Sequence, residues 1–366
     1  MTAAIEPVGA NPCRLWGLTS EERLRRIAAL QGMTGGGEGR LLVNLDYAFD
    51  PIWLRWIAER PGHAVARGGV AVLANCTDEE SCEAIRRAMI ERRTLSPGQA
   101  MAVVDHESFE AVHDPFLRRR ERPFIKRLTA DAVPAVERIS YYAAYKGVTD
   151  LLTKYLWPEW ALWLTRLCAR IGLTPNMVTL VGALLCVAAG AAFWTGHYWP
   201  GMAAALGFMV LDTVDGKLAR CTITSSKLGD VLDHGIDLVH PPLWWWAWGV
   251  GLTAYGTPLP PNLYEAALIA TIGGYFVQRA LEGAFIAAFG IQIHVWKPID
   301  SRFRLIAARR NPNMVLLFAS LLIGRPDIGL VAIGVWTILS CLEHFVRLMQ
   351  AAAERRRGRT VESWLQ

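Results

Sequence analysis

Cysteine chemistry is the first thing this sequence does not offer. Its seven cysteines (Cys13, Cys76, Cys82, Cys168, Cys186, Cys221 and Cys341) are scattered, odd in number and form no CxxC pair. That argues against both a disulfide framework and a zinc site. The opening stretch MTAAIEPVGANPCRLWGL lacks a basic segment followed by an apolar core, so no signal peptide is expected and the polar half is expected in the cytoplasm. Internal repeats and low-complexity tracts are missing as well. Charge is scarce, at 19% of residues against 52% hydrophobic. The net charge of +5 is modest and its basic residues sit beside apolar runs, which suits an anionic membrane surface better than nucleic acid.

The scarcity is uneven, and 366 residues leave room for two or three domains. Up to about residue 155 the chain has ordinary charge density, as in TSEERLRRIAAL and DPFLRRRERPFIKR. There GRLLVNLDYAFD, GGVAVLAN and AMAVVDHESF read as strands, with helical patterns DPIWLRWIAE and DEESCEAIRRAMIER between them. This alternation predicts a small cytoplasmic α/β domain with a mostly parallel sheet over residues 1–125, followed by a helical linker over 126–155. The glycines of MTGGGEGR precede the first of these strands. A phosphate loop needs the strand first, so the cluster reads as a turn.

Beyond the linker, apolar runs near 176–195, 199–220, 228–254, 262–289, 312–324 and 327–349 suggest six spans of a mainly α membrane domain over 156–350, with a basic tail over 351–366. Arg166, Arg170, Lys217, Arg220, Lys227, Lys297, Arg302, Arg304, Arg309, Arg310 and Arg355–Arg357 fall on one side, and the opposite loops GHYWPG, YGTPLPPN and GRPD hold one arginine among them. This asymmetry places both termini on the cytoplasmic side of an inner membrane. Trp194, Tyr198, Trp199 and Trp244–Trp246 suit interfacial belts or core packing. The segment WPEWALWLTRLCARIG sets Trp160, Trp163, Leu164 and Leu167 on one helical side, as in a helix lying at the membrane surface or packed on the protein itself.

Against this apolar background, LDTVDGKLARCTITSSKLGDVLDHGIDLVH holds five aspartates. Asp212 and Asp215 are three apart and Asp233 and Asp237 four apart, so each pair shares a helix face. Four carboxylates brought to one volume repel unless cations sit among them, and hard oxygen ligands select Mg²⁺ or Mn²⁺, two ions per site. Asp230 reads instead as a favourable charge near a helix start. Gly216 permits close approach of a ligand, and Arg220, one turn on, suits a phosphate. Pairing with Lys217, Arg220 and Lys227 at a solvated loop would account for one or two of the aspartates, not for all four.

The spacing Asp212-x2-Asp215-Gly216-x2-Ala219-Arg220-x8-Gly229-x3-Asp233-x3-Asp237 resembles the complete signature of the CDP-alcohol phosphotransferase family. The resemblance covers roughly residues 150–350. It implies transfer of a substituted phosphate from a CDP-alcohol to a hydroxyl acceptor with release of CMP, in lipid biosynthesis. It implies Asp212, Asp215, Asp233 and Asp237 as metal ligands, with Asp237 also the catalytic base. It implies contacts to the CDP moiety from Asp212, Gly216, Ala219, Arg220 and Ser226, and from Pro175, Asn176 and Thr179 in TPNMVT. The partners implied are a CDP-alcohol and a hydroxyl acceptor, at least one a lipid, together with membrane lipids and a second copy in a homodimer, but no nucleic acid. Either a phosphatidyl group moves from CDP-diacylglycerol to a polar alcohol, or a polar headgroup phosphate moves to a lipid hydroxyl. A membrane transporter or cation-binding protein could also use the aspartates, but would not need Gly216, Ala219 and Arg220 in register.

The front domain, through LLVNLDYAFDP, resembles a degenerate sugar-phosphate nucleotidyltransferase of the kind fused to inositol-phosphate members of the family. It lacks that fold's glycine-rich loop, and Asp46 fits a turn before Pro51 as well as a metal site. Lys146, Asp150 and Lys154, four apart, fit a salt-bridged helix face or a docking face. Lys297, Arg302, Arg304 and Arg309 are candidates for an anionic acceptor or lipid headgroups. Arg279 and Glu282 are expected to neutralise each other. His294 and His344 show no ligand pairing.

Overall fold

The computed structural model describes residues 3–33, 37–95, 101–225 and 227–366, without the side chains of Ala3, Gly37, Glu38, Lys227, Leu228 and residues 230–234. Ser226, the glycine turn at 34–36 and the Asp230 and Asp233 side chains therefore lie outside the described residues.

The front region builds on strands β1 (Ala3–Val8), β2 (Gly37–Asn44), β3 (His63–Arg67), β4 (Val70–Cys76) and β5 (Ala102–Asp105), ordered β1-β2-β4-β3-β5 in one sheet. The β1–β2 and β3–β5 pairs are parallel, whereas β2–β4 and β3–β4 are antiparallel. The sheet is thus mixed, not mostly parallel. Gly68 and Gly69 explain the difference: with φ of 56° and 79° they form a two-residue turn that folds β3 directly onto β4. Helices α1 (Ser20–Leu30), α2 (Ile52–Ala58) and α3 (Glu79–Glu91) cover the sheet. Thr19 starts α1 by accepting a hydrogen bond from Glu22 N at 3.1 Å, and Asp78 starts α3 by accepting one from Ser81 N at 2.8 Å. A hairpin of β6 (Val112–Asp114) and β7 (Arg119–Glu121) leads on to α4 (Val133–Ala143).

Helix α5 (Pro158–Arg170) buries Ala161, Leu162, Thr165 and Cys168 and leaves Trp160, Trp163 and Leu167 exposed. The rest of the chain is helical over each expected span except at Thr195, Ile323 and Gly324: α6 (Pro175–Trp194), α7 (Tyr198–Cys221), α8 (Lys227–Tyr255), α9 (Pro261–Leu268) continuing through a π turn at Ile269–Gly273 into α10 (Gly274–Phe289), then short α11 (Pro298–Phe303), α12 (Arg310–Leu322) and α13 (Pro326–Arg356). Among the described residues two of these, α6 and α13, are long and apolar enough to cross a membrane by length and composition. Trp244 and Trp245 belong to the core, while Trp246 is exposed and meets Trp194 edge to face at 4.7 Å.

The front region docks on the helix that carries the first aspartate pair. Arg23 and Arg26 of α1 donate to the Cys221 and Thr222 carbonyls at 3.2 and 2.9 Å, satisfying the C-terminal end of α7. Lys217, buried on α7, donates to the Ala144 carbonyl at 2.8 Å and lies 3.2 Å above the Tyr145 ring. The segment after α4 is not one helix face. Asp150 is buried, accepting from Thr153 N at 3.0 Å, from Thr153 Oγ1 at 2.8 Å and from Asn311 Nδ2 at 3.0 Å. Burial alone would raise its pKa, but the Arg304 charge and these hydrogen bonds hold it below the usual carboxylate value.

Candidate functional site

Helices α7 and α8 bring Asp212 and Asp237 together through a residue that sequence reasoning left out. Arg310 donates from Nη2 to Asp212 Oδ2 at 2.6 Å and from Nη1 to Asp237 Oδ1 at 2.9 Å. Two carboxylates held by one guanidinium show directly that this volume demands positive charge. The sequence places Arg310 only among the basic residues of the cytoplasmic side, because the expected fifth span begins at 312. In fact α12 begins at Arg310, whose side chain reaches the aspartates from that first turn. Asp215 is buried, accepting from Thr179 Oγ1 at 2.6 Å and from Gly216 N at 2.6 Å. Thr179 thereby ties α6 to the signature. A Cβ on Gly216 would lie 3.2 Å from Arg220 Nη2, so glycine leaves room for the arginine to fold back along α7.

Asp237 lies one turn before a proline pair in α8. Pro241 and Pro242 lie inside that helix and lack the N–H groups that would bond the carbonyls of Asp237 and Leu238. Tyr275 of α10 supplies the missing donor, with its hydroxyl 3.0 Å from Leu238 O and 3.4 Å from Asp237 O. The proline pair after the last aspartate was the available sequence signal.

Asp212 and Asp237 open onto a cavity of about 560 Å³, whose lining does not include Asp215 or Thr179. Asp212, Asp237, Gly216, Lys217, Arg220 and Arg310 line one part of it. Arg118, Tyr145, Lys146, Thr149 and Asp150 come from the front region and linker, and Arg279, Glu282, Gln292, His294, Arg304 and Arg309 from α10 and the segment after it. Arg304 and Arg309 therefore face the cavity. Lys297 and Arg302 do not: Lys297 lies over the Trp296 ring at 4.4 Å, and Arg302 borders a separate surface depression. Pro175 and Asn176 line a neighbouring cavity with Trp16, Arg26 and Thr222. Ala219 is half-buried on α7, outside the main cavity lining.

Glu282 pairs with Arg279 at 3.2 Å, as the sequence suggests, but Arg309 takes both its oxygens at 2.5 and 2.6 Å. His294 and His344, unpaired in the sequence reading, also converge on Glu282, at 3.2 and 3.4 Å. This Glu-His-His group has ligand atoms close enough for a metal. With Arg309 already on both oxygens, the group acts as a polar clamp that fixes the arginine. Burial drives the His294 pKa well below its ordinary value, against the pull of Glu282.

Asp212 and Asp237, from two helices and opening on a cavity rich in guanidinium groups, suit a phosphate ester. The CDP-alcohol phosphatidyltransferase family model matches residues 172–307. The chain is 35% identical over 124 residues to cholinephosphotransferase 1 of Gallus gallus, covering 31% of this chain and 36% of that protein. It is 41% identical over 93 residues to phosphatidylinositol phosphate synthase of Mycobacteroides abscessus, covering 23% and 42%. It is 30% identical over 177 residues to archaetidylinositol phosphate synthase of Pyrococcus horikoshii, covering 46% of this chain and 80% of that protein. The chain thus spans about two fifths of the first two relatives and most of the third. It belongs to the CDP-alcohol phosphatidyltransferase family.

Proposed function

We propose that this protein is a membrane transferase that moves a substituted phosphate from a CDP-alcohol to a hydroxyl acceptor and releases CMP. The observation that carries this reading is the convergence of Asp212 and Asp237, with Gly216 and Arg220, on one cavity. Gly216 and Arg220 bind and orient the diphosphate; Asp237, nearly half exposed at the cavity, takes the proton of the acceptor hydroxyl. The acceptor oxygen bonds to the phosphorus as the bond from that phosphorus to the CMP oxygen breaks. The aspartates fit hard divalent cations, since Arg310 already stands in for positive charge between two of them. Asp212, Asp215, Asp233 and Asp237 would hold Mg²⁺ or Mn²⁺, which supplies charge neutralisation for the diphosphate.

The relatives named for inositol phosphate products tilt the substrates toward that group. We place helices α6 to α13 across an inner membrane as six spans, α9 and α10 forming one and α11 none, with both termini and the cavity on the cytoplasmic side. The exposed Trp160, Trp163 and Leu167 of α5 would lie in the headgroup region. Purified protein given CDP-diacylglycerol or a CDP-headgroup, each with candidate acceptors, tests this reading by mass spectrometry of the lipid product. A transferred phosphate is expected. Ion flux through liposomes with no lipid product from any pair would favour the cation-transport alternative.

A further inference from the structure

Residues 115–118 form the turn between β6 and β7, and Arg118 occupies it in a left-handed conformation at φ 51°, which is costly for a residue with a side chain. The turn is held from behind. Gly147 N donates to Leu117 O at 2.8 Å, and a Cβ on Gly147 would approach Arg118 O to 2.6 Å. From there the Arg118 side chain enters the cavity of the helical domain, donating to Gln292 Oε1 at 3.0 Å across 174 residues of chain.

Its surroundings are short of negative charge. Arg118, Arg279, Arg304 and Arg309 share this part of the cavity with Glu282 and Asp150. Glu282 is taken up by Arg309 and Arg279, and Asp150 by Thr153 and Asn311. Arg304 is 7% exposed, and its Nε and Nη1 have no hydrogen-bond partner among the described residues; Arg118 Nε and Arg309 Nε are likewise unmatched. Burial and the neighbouring Arg309 charge lower the Arg118 pKa to about 10, the signature of a cation short of counter-charge. Four guanidiniums against two carboxylates leave a deficit of two charges, and a phosphomonoester carries about 1.5–2 at neutral pH.

We propose that the acceptor pocket is composite: the front domain inserts Arg118 into the helical domain's cavity, where with Arg304 and Arg309 it binds a phosphomonoester on a polyol acceptor. This rests on the transferase reading above and deepens it, since a phosphorylated polar acceptor makes the lipid CDP-diacylglycerol the donor. Arg118 lies outside residues 172–307, so the specificity belongs to this chain's own front domain.

The test measures CMP release by the full chain in detergent, with CDP-diacylglycerol and either glycerol 3-phosphate, myo-inositol 1-phosphate, or their unphosphorylated counterparts. Wild type is expected to use a phosphorylated polyol and not its neutral counterpart. Arg118→Gln is expected to raise the acceptor KM by about 10–100-fold, with the donor KM within about twofold of wild type. Should the Gln variant fail to fold, Arg118→Lys carries the test. A several-fold rise in acceptor KM is then expected, because the planar fork is lost. Equal use of neutral polyols, or an unchanged acceptor KM in the variant that folds, overturns the composite pocket while CMP release still upholds the transferase. No CMP from any of these pairs overturns the composite pocket, and the transferase falls with it only if CDP-headgroups with lipid acceptors release none either.

Discussion

Asp237 and Arg310 pose opposite problems at the residue scale. Asp237 is the proposed proton acceptor, and Asp237→Asn is expected to lower kcat by at least about 100-fold while leaving CMP binding within a few-fold of wild type. Near-normal turnover in a steady-state assay would remove it as the base. Arg310 holds Asp212 and Asp237 together by charge. Arg310→Ala leaves two carboxylates facing each other, so the variant is expected to unfold at lower temperature without added metal. Its gain in unfolding temperature on adding Mn²⁺ should exceed that of wild type. Equal gains would show that the cation site and the arginine are independent. The aspartates were legible because i,i+3 and i,i+4 spacing is a property of the sequence itself. Arg310 was not, because its role turns on whether a helix starts at 310 or 312, and two residues decide whether a side chain points at the site.

At the scale of elements, the informative feature is the proline pair inside α8. The carbonyls of Asp237 and Leu238 have lost their helical donors to Pro241 and Pro242, and the Tyr275 hydroxyl replaces them. Tyr275→Phe keeps the ring and removes the donor. It is expected to cost about 1 kcal/mol of stability and to lower kcat by up to about tenfold, through misplacement of Asp237 rather than lost substrate contact. An unchanged kcat with an unchanged acceptor KM would make Tyr275 merely structural. The helices themselves were legible from apolar runs, and α6, α7, α8 and α13 begin within a residue of expectation. The sheet was less so: GGVAVLAN reads as one strand, yet its two glycines are a hairpin turn that reverses the chain. Local alternation reports that a strand exists and is silent on which neighbour it pairs with.

At the scale of the whole molecule, the front domain and the bundle meet through Arg23, Arg26, Arg118, Lys217 and Asp150, of which the last three line the cavity. No spacing rule could have shown these contacts, because partners such as Arg118 and Gln292 are far apart in sequence. Asp150 gives a pH handle on this docking. Its folded-state pKa is depressed, so the stability it contributes is fully present above the unfolded value near about 3.9 and is lost as pH falls through the folded one. Asp150→Ala is expected to destabilise the protein by about 3 kcal/mol at neutral pH. The gap in unfolding temperature to wild type should stay constant from about pH 8 to 5 and narrow only below about pH 4. A gap that closes between pH 8 and 6 would place the docking energy in another group.

The proposed role of the paired aspartates is to hold divalent cations for transfer from a CDP-alcohol. Its most direct measurement is CMP release from CDP-diacylglycerol with a polyol phosphate, by wild type and Asp237→Asn, with EDTA, Mg²⁺ or Mn²⁺. Release is expected from wild type with either cation, none with EDTA, and loss of turnover in the variant. Release that persists in EDTA, or undiminished release by Asp237→Asn, would contradict it.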